Sequence, residues 1–156
     1  MTSEPTFARL TSGTELGASP WVQITQAMID AFAQATLDDD PMHTDPVWAR
    51  DQGPFGHTVS YGFLTMSLLT HLVYPLLQLN AQEASTGAGH FLNYGFDKLR
   101  FVAPVPVNSE VRAHFAVADR RVDGVRTIVK FQVEMEIRGG KRPALVAEWL
   151  TVWIPS

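Results

Sequence analysis

A chain of 156 residues, 46% of them hydrophobic, can bury one sizeable core, and a single domain over residues 1–156 is expected. The net charge of −4 argues against a nucleic-acid binder, which needs a basic stripe or face, and the absence of cysteine removes disulfides and thiol chemistry. Met1-Thr2-Ser3-Glu4-Pro5 has neither the basic region nor the apolar run of a signal peptide, so a cytoplasmic protein is the expectation.

In chain order, a short strand near Trp21 to Ile24 precedes a helix with Thr25 as N-cap, because Met28, Ile29, Phe32, Ala33 and Leu37 recur at helical spacing. Asp38, Asp39 and Asp40 then fall at the helix C-terminus. Exposed carboxylates there oppose the helix dipole at roughly 0.3 to 1 kcal/mol each, so something other than stability keeps them. Pro41 disfavours a helical Asp40, which stops the helix and allows the chain to swing His43 back toward Asp38. An Asp beside a His is an acid/base pair able to work on a bound water. The same composition also suits a solvated loop, and local chemistry leaves both readings open.

Metal readings fail on spacing. Counted from Asp38 as the first ligand of a calcium loop, the sixth residue is His43 and the twelfth Ala49, where Gly and Glu are required. His57, His71, His90 and His114 are scattered and no His-Glu-x-x-His occurs, so no metal is expected.

A short helix near Pro46 to Arg50 leads to an apolar run, Phe63 to Leu77. With two Thr, a Ser and a His the run is too short and too polar to span a membrane, and it reads as a helix buried all round by a sheet. The sheet is expected from Phe91 to Phe101, from Val111 to Val117, and from Phe131, Val133, Met135 and Ile137, which alternate with polar residues. Gly139-Gly140 turns that last strand into an antiparallel partner from Ala144 to Ile154, while the prolines of Pro104-Val105-Pro106-Val107-Asn108 forbid a central strand. The fold class is α+β, an antiparallel sheet around a central helix.

Asp38-x-Asp40-Pro41-Met42-His43-x5-Ala49 resembles the signature of the MaoC-like dehydratases, the (R)-specific enoyl-CoA hydratases, in which Asp-x-Asn-Pro-aliphatic-His is followed at the same distance by Ala or Ser. Gly53-Pro54-Phe55-Gly56 and Tyr61-Gly62-Phe63 resemble that family's loop and the His-Gly start of its central hot-dog helix. Asn93-Tyr94-Gly95 through Arg100-Phe101 and Pro104 through Ser109 are similar to the single-domain members, notably a mycobacterial-type subgroup.

The resemblance implies a hot-dog fold and reversible hydration of a trans-2-enoyl-CoA. Asp38 and His43 would activate one water, and the Gly62 backbone N–H would meet the thioester oxyanion. Thr70 falls where the family has a Ser near the pair, Tyr61 in place of the family's His alters pocket shape, and Trp48, Phe55, Phe63 and Met66 are candidates for an acyl tunnel. Asp40 in place of Asn either alters the pair's protonation or accepts a backbone N–H, and His57 is expected to be structural or solvated rather than catalytic. A homodimer is implied, with no cofactor because CoA belongs to the substrate, and with neither nucleic acid nor membrane as partner. Lys98, Arg100, Arg112, Arg120, Arg121, Lys141 and Arg142 are available to the CoA phosphates. Two rival functions are a hot-dog acyl-CoA thioesterase, against which stands the absence of any acid from Phe63 to Leu77, and a non-catalytic acyl-binding dimerisation domain.

Overall fold

Alternation from Lys130 to Ile137 builds the middle of the sheet: Phe131, Val133 and Met135 are fully buried, while Gln132 and Glu134 face outward. The computed structural model describes Phe7, residues 10–79 and residues 89–156. Its strands are β1 (Glu15–Ala18), β2 (Val22–Gln23), β3 (Gly89–Phe101), β4 (Glu110–Asp123), β5 (Arg126–Ile137) and β6 (Leu145–Pro155). All pairings are antiparallel, in the order β1-β4-β5-β6-β3, with β2 also beside β4. Val133 sits opposite Phe115 on one side and Ala147 on the other, so three central strands present one apolar face. Trp149 lies at the middle of that face, its ring centroid within 6.3 Å of those of Phe91, Phe115 and Phe131. Such pairs add about 0.5–1.5 kcal/mol each beyond the area they bury.

The helices are α1 (Gln26–Thr36), α2 (Pro41–Thr44), α3 (Pro46–Asp51), α4 (Gly62–Ser67) and α5 (Leu69–Val73). Together α4 and α5 form the helix expected from Phe63 to Leu77, interrupted at Leu68, whose N–H donates to the Thr65 carbonyl at 3.3 Å. Leu64, Leu69, Leu72, Val73 and Leu77 belong to the buried core. The helix is not buried on every side, contrary to the reading of its composition: Phe63 is 64% exposed, and Ser67 and His71 follow it outward at spacings of four. One sheet covers one helix face, and the stripe on the other is left open.

β1 carries no alternating signal in Glu-Leu-Gly-Ala and was not expected; it pairs with β4 through a bulge, where Gly17 takes a φ of 88° that favours glycine. The expected strand from Trp21 to Ile24 contracts to Val22–Gln23, and β4 runs past Val117 to Asp123. The proline-rich connection stays out of the sheet, as expected, and serves as an anchor instead. Pro106 bridges Val59, the Ser60 N–H donates to the Val105 carbonyl at 2.8 Å, and the Val107 N–H donates to the Thr58 carbonyl at 3.0 Å. Residues 58–60, which lead into α4, are thereby fixed. Among the described residues no helix is long and apolar enough to cross a membrane.

Candidate active site

Thr25 caps α1 through its hydroxyl, which accepts the Met28 N–H at 3.2 Å, and the helix ends at Leu37 in the left-handed conformation with φ 62°. Two Asp-Pro steps then restart the helix. Asp40 caps α2 by accepting the Met42 N–H at 2.8 Å, and Asp45 caps α3 by accepting the Val47 and Trp48 N–H groups at 2.9 Å, with Pro41 and Pro46 in the first turns. Asp40 therefore sits at the favourable end of a new dipole, which accounts for its retention after α1. Of the two roles open to it, the structure gives it the turn.

α2 brings His43 against the fixed segment 58–60. Its Nδ1 lies 2.7 Å from the Val59 carbonyl oxygen. A carbonyl only accepts, so Nδ1 carries the proton of the neutral ring and Nε2 is left as the acceptor. The His43 backbone carbonyl accepts the Gln26 side-chain N–H at 2.8 Å, and the Gln26 oxygen accepts the hydroxyl of buried Thr58 at 2.6 Å. Gln26 thus ties the start of α1 to both walls that hold the histidine.

Tyr61 lies behind this ring. Its centroid is 3.9 Å from that of His43, and its hydroxyl donates to the Asp38 backbone oxygen at 2.5 Å. Burial, and then the carboxylates of Asp38, Asp40, Asp39 and Asp30, push the phenol's pKa above its ordinary value. It remains a donor at neutral pH.

A pocket of about 310 Å³ opens beside His43. Phe55, Val59, Gly62 and Thr65 line it from one side, and residues 101–105 with Ala144 from the other, so its walls are mostly apolar. Gly62 begins α4 with no side-chain cap. The first amides of the helix have no partner within it. A Cβ at Gly62 would stand 3.0 Å from the Phe101 ring, which shows how closely the opposite wall approaches.

His43, Gly62 and Phe55 thus share one pocket. Asp38 is exposed and does not line it; its backbone carbonyl is joined to His43 through Tyr61, with no direct hydrogen bond between the two side chains. Tyr61 itself, expected from sequence to alter the shape of the substrate pocket, is 4% exposed and packs against the His43 ring. Thr70 is not brought to His43: it pairs with Asn93 at 3.3 Å, in a separate recess with Met66 and Trp149. Eight residues of helix after Gly62 carry it about 12 Å along the axis. Phe63 points outward and meets Phe101 edge-on at 6.0 Å, and half-buried Trp48 on α3 lies outside the pocket lining. His57, expected to be structural or solvated, is exposed, with Nδ1 3.1 Å from the adjacent Thr58 carbonyl oxygen. Sequence reasoning missed Thr65, Phe101 and Ala144. Thr65, at i+3 from Gly62, was accessible by helical spacing; the others arrive through the register of β3 and β6.

Residues 8–139 match the MaoC like domain family. Nodulation protein N of Rhizobium leguminosarum bv. viciae is 39% identical over 141 residues, covering 90% of this chain and 84% of the relative. The 3-hydroxyacyl-thioester dehydratase Z of Mycobacterium tuberculosis is 36% identical over 144 residues, covering 92% and 91%. The solved (R)-hydratase from A. caviae superimposes with a TM-score of 0.68 at 25% identity, covering 91% of this chain and 96% of that one. A matching family over most of the chain, relatives aligned over about nine-tenths of it and the same antiparallel sheet on a central helix agree: the chain belongs to the MaoC-like dehydratase domain family and has its hot-dog fold.

Proposed function

We propose that the protein catalyses the reversible (R)-specific hydration of trans-2-enoyl-CoA to (R)-3-hydroxyacyl-CoA in fatty-acyl metabolism. The observation that carries this reading is the orientation of His43, whose Nδ1 is spent on Val59 so that Nε2 is the nitrogen available to a water in an apolar pocket. The water is held between Nε2 and the Asp38 carboxylate. Its oxygen attacks C3, the proton it loses passes to the pair, and the pair returns a proton to C2. As negative charge gathers on the thioester oxygen, the Gly62 N–H at the start of α4 donates to it. The names of the mycobacterial relative and of the A. caviae enzyme support the thioester class and the (R) outcome.

The acting unit is a homodimer. β3 is the sheet edge, and its exposed Leu92 and Tyr94, with Phe63 nearby on α4, offer an apolar margin to a second copy. Hydration rates across a series of trans-2-enoyl-CoA chain lengths test the proposal. Turnover, with a preferred length set by a pocket of about 310 Å³, supports it. No turnover at any length refutes it.

A further inference from the structure

Tyr61 touches both members of the proposed pair with one side chain. Its ring lies over His43 at 3.9 Å, tilted by 32°, and its hydroxyl reaches the Asp38 carbonyl at 2.5 Å. Phe32 packs beside the same ring at 5.2 Å, so the phenol is clamped in place. Tyr61 is buried and does not line the pocket.

The two residues it joins are held very differently. His43 is fixed by the Val59 carbonyl at Nδ1 and by Gln26 at its backbone. Asp38 is exposed, follows the left-handed Leu37, and has its carboxylate on the Asp40 N–H at 3.3 Å, a long contact. Asp38 is therefore the member whose position depends on an outside tie. We propose that Tyr61 is a positioning residue that sets Asp38 relative to His43, one rigid ring replacing the direct Asp–His hydrogen bond that this site lacks. The burial and nearby carboxylates that keep the phenol protonated keep the tie intact across the working pH range. A buried phenol needs a hydrogen-bond partner in any case, so the test must separate positioning from packing.

The inference rests on the hydratase reading for its kinetic arm only. Tyr61→Phe keeps the ring and removes the hydroxyl. In the substituted protein, amide hydrogen exchange at Asp40, whose N–H rests on the Asp38 carboxylate, is expected to quicken about 10-fold while the amides of α4 are unchanged. With crotonyl-CoA, kcat is expected to fall about 10-fold with KM within about 2-fold, the scale of a misplaced catalytic group. In an Asp38→Asn background the same substitution should change kcat by less than about 2-fold. Equal losses in both backgrounds, or unchanged Asp40 exchange, overturn the proposal and leave Tyr61 as packing. A wild-type protein without hydratase activity refutes the functional reading instead, and the Asp40 exchange then decides the tie alone.

Discussion

The carbonyl oxygen of Val59 accepts the Nδ1 proton of His43 across 2.7 Å, so the imidazole of this site is oriented by backbone and not by a carboxylate. Val59 is itself buried and bridged to Pro106, which makes the acceptor a rigid one. In the proposed reaction Asp38 is thereby not needed to hold the histidine and is left to share the water.

If Asp38 and His43 act as one unit on that water, Asp38→Asn and His43→Gln each lower kcat by at least about 100-fold, the range for loss of a general acid or base. The double substitution should cost little more, since members of a unit are not additive. Steady-state kinetics on crotonyl-CoA check this, and multiplying losses would show two independent roles. Asp40→Asn serves as the control: Asn caps a helix as well as Asp, so activity and stability should change little.

Gly62→Val is expected to leave the protein folded but to lower kcat/KM by at least about 100-fold, the scale of one oxyanion donor. The new Cβ meets the Phe101 ring at 3.0 Å, and that ring, at 43% exposure, can give way without unfolding the protein. Circular dichroism and kinetics on the same sample decide it. Full activity in the folded variant would place the carbonyl elsewhere.

Light scattering should return twice the chain mass at micromolar concentration, because the β3 edge carries exposed Leu92 and Tyr94 beside unpaired backbone groups. Leu92→Asp should shift the population toward monomer. A stable wild-type monomer would remove the dimer from the account.

On the outer sheet face, hydrogen bonds first from His114 and then from Arg112, each at 2.7 Å, hold the Glu136 carboxyl below its ordinary value. A depressed folded pKa contributes stability that is fully present above the ordinary glutamate value and lost as pH falls through it toward the folded one. Glu136→Gln should therefore lower Tm at neutral pH by an amount equivalent to at most about 1 kcal/mol, since the cluster is partly solvated. The difference should vanish in acid, as thermal melts across pH would show.

The strands with strict alternation were legible in sequence because burial of one face imposes period two, and β5 lies where Phe131 to Ile137 predicts it. The Asp-Pro pairs at Asp40-Pro41 and Asp45-Pro46 held a cap-and-start signal that is readable in principle, yet reading all three aspartates as the tail of α1 concealed it. His43 and Gly62, both named by the motif, line one pocket. Thr70, which the motif set near the pair, bonds Asn93 in a separate recess, since a matching residue type carries no distance and eight helical residues carry about 12 Å. The far wall, Phe101 with Ala144, was beyond local reading because it exists only once β3 pairs with β6 and the Val102 N–H closes on the Ala144 carbonyl at 2.8 Å.

The most direct test of the central claim follows crotonyl-CoA with wild-type protein while recording the conjugated enoyl absorbance, free thiol and the configuration of the product together. The absorbance is expected to fall, no thiol to appear and (R)-3-hydroxybutyryl-CoA to accumulate. Thiol release without hydration, or formation of the (S) product, would contradict it.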